Sequence, residues 1–351
     1  MPVKTDANYD VVVEDQYPVT LTRVKGGKKG PVLLVHGVAV SSAMFTLPTV
    51  RQNFVEFLRD NGYDIWLLDW RGSIIHPLRQ FTLDEAARLD LPAAVRKVRA
   101  VTKARKVQVV AHCAGSNVVF MAMSLGLLPD VSCLVASQVG LHINVPPAST
   151  LKSRAHLADR LAQLGAKSLS PSDDDGQPLI QFAFGRMTDV FHHECSSTFC
   201  HRLTFTYGHL YHHHRMNKAT HDALPSQFGE CNIVALRHFS QLILAGHAQM
   251  FDYGRKGNMK AYGSPVPPDY LDPAHFKLPI TFLSGELNQT WLPESTKRTY
   301  EWLVSANGSR FYTRHVIPGY GHLDTFMGTD ASTDTYPLML EQLESAKAMS
   351  A

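Results

Sequence analysis

Short, almost unbroken apolar runs recur along this chain, each followed by a stretch with helical spacing. Residues 31–35 (PVLLV), 63–69 (YDIWLLD), 107–111 (VQVVA), 131–139 and 278–284 (LPITFLS) place apolar side chains on both faces of an extended backbone. A strand apolar on both faces must be covered on both faces, and crossover helices between parallel strands achieve this. Residues 19–24 and 310–317 add two further strands. The helical spacing falls on 45–61, 82–102, 115–125, 294–305 and the stretch after Tyr336. In the second of these, Thr82 and Glu85 form a capping-box pattern, and Pro92 marks a kink or a fresh start. The expected architecture is an α/β fold with a mostly parallel sheet and helices on both faces.

The alternation breaks between 146 and 273, where His, Pro, Gly, Ser and Asp are frequent and the pattern is irregularly helical. Residues 1–145 and 274–351 are therefore read as two parts of one sheet domain, and 146–273 as an inserted cap. With 351 residues, 44% hydrophobic and 19% charged, the chain has material for a sizeable core. A formal net charge of +3, with both signs interspersed, offers no basic stripe for nucleic acid. No run approaches the ~18 apolar residues of a spanning helix. An odd number of cysteines and an opening (MPVKTDANYD) without a secretory apolar stretch suggest free thiols in the cytoplasm.

The stretch Val110-Ala111-His112-Cys113-Ala114-Gly115-Ser116 reads strand, sharp turn, helix, with small residues two before and two after Cys113. A nucleophile held at the apex of such a turn needs those small neighbours, because two backbones meet there. The following helix points its N-terminus at Cys113, which favours a thiolate. His36-Gly37-Val38, after an earlier strand, would supply one oxyanion amide from Val38, with the other from Ala114. His322, in Gly319-Tyr320-Gly321-His322 after the last strand, is the expected base. The position expected to orient its ring holds Asn288, in Gly285-Glu286-Leu287-Asn288, with Glu286 and Asp324 as alternatives. A serine nucleophile loses about 10⁴ in rate when that acid becomes an amide. A cysteine that already forms a thiolate–imidazolium pair needs chiefly orientation, so Cys113 and Asn288 make joint chemical sense.

In this order the motifs resemble the α/β-hydrolase superfamily over nearly the whole chain, which implies that fold's mostly parallel eight-stranded sheet, here with a large inserted cap. LLVHGVAVSSAMF and FLRDNGYDIWLLDWRG resemble the acid-lipase branch. VVAHCAGSN, ITFLSGELNQTWLPEST and GYGHLDTFMG are more similar to the hydrolase domains associated with cholesterol-oxidase-like flavoproteins, in which a cysteine elbow and an asparagine at the acid position also occur. The resemblance implies hydrolysis of an ester, thioester or lactone of a bulky hydrophobic substrate. Acyl transfer by the same Cys-His-Asn site is the alternative, and a non-catalytic binding protein is the reading of another class. No dinucleotide motif is present, and no cofactor is expected.

Histidines and cysteines crowd residues 191–221, among them His192, His193, Cys195, Cys200 and His201. Cys195, Cys200 and His201 could surround zinc, and the two cysteines could pair in an oxidising compartment. Without C-x-x-C spacing, the segment reads instead as the polar face of a helix, and no metal is expected. Asp69 and Arg71 read as braces of a turn, and Phe205, Tyr207, Tyr211 and Phe251 as cap aromatics, some lining a pocket.

Overall fold

The computed structural model describes residues 3–172 and 194–348, so His192 and His193 lie outside the described residues. An eight-stranded sheet runs in the order β1-β2-β4-β3-β5-β6-β9-β10. The strands are β1 (Ala7–Val11), β2 (Val19–Lys25), β3 (Lys29–Val35), β4 (Tyr63–Asp69), β5 (Val107–His112), β6 (Val131–Ser137), β9 (Ile280–Gly285) and β10 (Tyr312–Ile317). The remaining two, β7 (Ser168–Leu169) and β8 (Cys231–Asn232), form a small antiparallel pair of their own. From β4 to β10 every neighbour in the large sheet is parallel, while β1 and β2 are antiparallel.

The apolar runs are explained by what covers them. In β3, Leu33 and Val35 join one core while Val32 and Leu34 join the other. In β4, Trp66 and Leu68 face the first core and Ile65 and Leu67 the second. Each strand is thus buried on both faces, as a parallel sheet between helical layers requires. β1 is not among the strands expected; it is short and half-exposed, with Asn8 and Asp10 turned to solvent between Ala7, Tyr9 and Val11.

Two helical expectations are corrected. The spacing over 45–61 yields a helix only at Phe54–Asp60, opened by a capping box between Asn53 and Glu56, while Ser42–Phe45 forms a separate 3₁₀ turn. The stretch 82–102 does start at the Thr82–Glu85 capping box, but a π-helical turn at Ala86–Asp90 separates it from the helix Leu91–Thr102. Pro92 sits at the start of that last helix, where its missing N–H costs least. Asp90, at the end of the π turn, accepts from Arg71 through both backbone and guanidinium, and Arg71 also pairs with Asp15. Arg71 thus braces the turn after β4. Asp69 does so too, accepting from the hydroxyls of Ser42 and Ser73.

Between β6 and β9 the described residues form a series of short helices, including Pro147–Arg154, Leu157–Gln163, Thr198–Tyr207, Lys218–Gln227 and Ile233–Ala245. The loops after β3, β5, β6, β9 and β10 leave the sheet at the same edge, the carboxyl ends of its parallel strands. In open α/β sheets this edge is where ligands bind.

Candidate active site

Cys113 directly follows β5, near the middle of the sheet, and adopts φ 56° and ψ −130°. Side chains avoid this region, and holding one there costs on the order of 1–3 kcal/mol. The turn is locked from several directions. Cys113 N–H donates to Ser137 O (3.1 Å), and Ser116 Oγ donates back to Ala111 O (2.8 Å). A Cβ on Gly115 would stand 2.4 Å from His36 O and 2.8 Å from Val35 O, so only glycine lets the helix Ala114–Ser124 approach β3 this closely. Gly37 is pressed against Cys113 itself, a Cβ there lying 3.1 Å from Cys113 Cβ. The turn carrying Val38 therefore sits beside Cys113. Ala114 opens the helix, and its N–H points at the thiol. Val38 and Cys113 line the same cavity.

His322 is fully buried in the loop after β10. Its Nδ1 is 3.3 Å from Asn288 Oδ1. The orientation of that amide is set by its other partners. Asn288 Oδ1 also accepts from the N–H groups of Thr290 (3.0 Å) and Trp291 (3.1 Å), while Nδ2 donates to Gln138 Oε1 (2.9 Å). Gln138 Oε1 accepts as well from Gly285 N–H (3.0 Å), and Gln138 Nε2 donates to Thr325 Oγ1 (3.2 Å). The Asn288 oxygen must then face His322, which keeps its proton on Nδ1 and presents a bare Nε2. That Nε2 is buried and has no hydrogen-bond partner among the described residues. His112 packs its ring 4.9 Å from that of His322. Glu286 and Asp324 are committed elsewhere. Glu286 accepts from Gly319 N–H (2.9 Å), and Asp324 from Gly321 N–H (2.7 Å) and His212 N–H (3.2 Å).

The protonation state departs from the sequence expectation. Burial pushes the Cys113 thiol up to about 12, although hydrogen bonds from Ala114 N–H and Trp291 pull the other way. Burial likewise pushes the His322 imidazole down to about 3. The low-dielectric surroundings thus favour the neutral thiol and imidazole over a thiolate–imidazolium pair, against the pull of the helix N-terminus.

Cys113, His112 and His322 lie on the floor of a cavity of about 140 Å³. Its walls come from one face each of three helices. Ser149, Lys152 and Ser153 project from Pro147–Arg154, Leu157 and Leu161 from Leu157–Gln163, and Leu236, Phe239, Ser240 and Ile243 from Ile233–Ala245. These spacings of three, four and seven are those of a single helix face. Phe205 and Tyr207 also line the cavity. Phe251 instead meets His238 and Tyr253, and Tyr211 donates to Cys200 Sγ. Trp291 and Gln138 escaped the sequence reading. Trp291 lies three residues past Asn288 in an ordinary turn, and Gln138 directly follows β6 with φ 77°.

The family profile described as the alpha/beta hydrolase fold matches residues 30–166. A soluble variant of monoglyceride lipase from Saccharomyces cerevisiae superposes with a TM-score of 0.62 at 16% identity, over 99% of this chain and 97% of that one. A thermophilic esterase from Thermogutta terrifontis superposes with a TM-score of 0.57, also at 16% identity, over 97% and 99%. The chain has the α/β-hydrolase fold. Lipase member K of Mus musculus is 24% identical over 96% of this chain and 87% of its own length. Gastric triacylglycerol lipase of Homo sapiens is 23% identical over 93% and 85%. Among the described residues, no helix is long and apolar enough to cross a membrane, and all five cysteines are free.

Proposed function

We propose that the chain hydrolyses an ester or thioester of a hydrophobic acyl group through an acyl-enzyme on Cys113. The observation that carries this reading is the cavity floor. A strained Cys113 and a buried His322 share it, and His322 is held in one tautomer by Asn288 Oδ1. The lipase and esterase names of the relatives support an ester-bond hydrolase, and the apolar walls support a hydrophobic substrate.

His322 Nε2 takes the thiol proton as Cys113 Sγ attacks the carbonyl carbon. The oxyanion receives the amides of Val38 and Ala114. Collapse breaks the bond to the leaving alcohol or thiol, which takes its proton from His322. Water, deprotonated by the same nitrogen, then attacks the thioester, and the proton returns to Sγ as the acid departs. Because the pair starts neutral, charge appears only on the way to the transition state, and Asn288 supports the imidazolium by its dipole alone. The segment 146–273 acts as a cap in this reading, since its helices build the cavity walls. Acyl transfer would differ only in the second nucleophile, an alcohol or thiol in place of water.

The test is intact-mass analysis after mixing with p-nitrophenyl esters and acyl thioesters of graded chain length, with product analysis in the presence of alcohol and thiol acceptors. The reading expects turnover, an adduct of acyl mass on Cys113, and loss of both in Cys113→Ala. Turnover retained in Cys113→Ala would reject the nucleophile. A wild-type protein that neither turns over nor acylates would instead be a binding protein on this fold.

A further inference from the structure

Outside the cavity, four sulfur- and nitrogen-bearing side chains that the mechanism does not use converge on one point. A ligand atom from each of Cys195, Cys200, His213 and His221 lies within 4.8 Å of every other. His221 Nε2 is 3.3 Å from Cys200 Sγ and 3.7 Å from Cys195 Sγ. Four-coordinate zinc, with bonds of ~2.3 Å to sulfur and ~2.0–2.1 Å to nitrogen, sets its ligand atoms roughly 3.3–3.8 Å apart. The cluster is already close to that tetrahedron.

The surroundings match a metal site beyond the four ligands. His213 Nδ1 is 2.8 Å from Glu194 Oε2, so its proton sits on that side. Its Nε2 is buried and has no hydrogen-bond partner among the described residues. A buried nitrogen without a partner carries a desolvation cost, which a metal bond would remove. A carboxylate behind the far nitrogen of a histidine is the usual support of a zinc ligand. Tyr211 O–H donates to Cys200 Sγ (2.9 Å), as a tyrosine does toward a thiolate. The other nearby group of metal-ligating types, Glu194, His209 and His212, shares this same Glu194 and so belongs to the supporting shell. His201, the partner expected from the sequence, turns away to meet Cys195 O at 2.8 Å.

We propose that Cys195, Cys200, His213 and His221 bind one structural zinc ion in the cap. Two thiolates and two imidazoles close the coordination, leaving no open position for catalysis. Each cysteine gives up its proton on binding. The ion would join three short elements, Thr198–Tyr207, His213–Arg215 and Lys218–Gln227. It would also hold the turn that grips the catalytic loop, since Leu323 N–H donates to Leu210 O (2.7 Å) and His212 N–H to Asp324.

The experiment is metal analysis of the purified full chain, with cobalt replacement and thermal melts. About one zinc per chain is expected. It should be retained in Cys113→Ala, which separates it from metal caught at the active site, and lost in Cys200→Ser and His221→Ala. Mercurial titration of the wild-type thiols should release the same equivalent, which covers the case of a variant that does not fold. Cobalt in place of zinc should give tetrahedral ligand-field bands with sulfur-to-cobalt charge transfer, and a strong chelator should lower the melting temperature. Zinc lost in Cys113→Ala would overturn the proposal. So would reduced wild-type protein that carries no zinc and gives no cobalt–thiolate absorption, or a Cys195–Cys200 disulfide in protein without metal.

Discussion

At Asn288 the surrounding acceptors select an amide over a carboxylate. Gln138 Oε1 takes Gly285 N–H and a second proton from the Asn288 NH₂. Asn288→Asp would set a carboxylate oxygen against that carbonyl oxygen in a buried site, at a cost on the order of 1–3 kcal/mol. Thermal melts should place Asn288→Asp below Asn288→Ala in stability; equal melting would remove Gln138 from this role. The neutral resting pair has its own signature in pH. His322 must be unprotonated to act as base, and with its imidazole pushed down to about 3 it is so throughout the working range. Cys113, pushed up to about 12, stays a thiol. Profiles of kcat/KM should therefore show no limb from this pair between about pH 4 and pH 10. Lys152, pushed down to about 8 by burial at the cavity wall, can add one step, which Lys152→Met would erase. A bell centred near neutrality that survives Lys152→Met would restore the ion pair.

Elements position the site through two close approaches, and the elbow depends most on them. The helix Ala114–Ser124 starts where β3 ends, and the missing side chain of Gly115 is what admits it. Gly115→Ala would drive a methyl into the carbonyl oxygens of His36 and Val35, which are backbone and cannot rotate away. The helix must shift, carrying the Ala114 amide out of line with Val38. We expect kcat to fall at least ~10²-fold, the scale of losing one oxyanion donor, with a lower melting temperature. Kinetics close to wild type would show that the elbow has slack. This element was legible in the sequence because its requirements are local: small residues at fixed offsets between an apolar run and a helix. The π turn at Ala86–Asp90 was not legible, since it answers to Arg71, which reaches Asp90 only in the folded chain.

Across the whole molecule, the sheet edge carries Cys113, Asn288 and His322, and the helices between β6 and β9 wall the cavity above them. Leu161 stands one turn after Leu157 on the same wall of the cavity. Leu161→Trp would fill part of the roughly 140 Å³ available there while leaving Cys113, His322 and Asn288 untouched. Turnover should then shift toward shorter acyl chains, with long-chain kcat/KM down about tenfold or more and short-chain values kept. An unchanged chain-length profile across a series of esters would place the acyl group elsewhere.

What the amino-acid order determined alone was whatever depends on neighbours in the chain. The strands of β3, β4 and β5 were readable because burial on both faces demands unbroken apolar runs. That Cys113, Asn288 and His322 come together at one end of the sheet was readable because each follows a strand at a short offset. Tertiary structure decided what depends on distance through space. It exchanged His201 for His213 and His221 beside Cys195 and Cys200, and it set Gln138 behind Asn288. It also set the direction in which burial pushes Cys113 and His322, the thiol up and the imidazole down, because the cost of burying charge depends on everything packed around each group, and no stretch of sequence displays those surroundings.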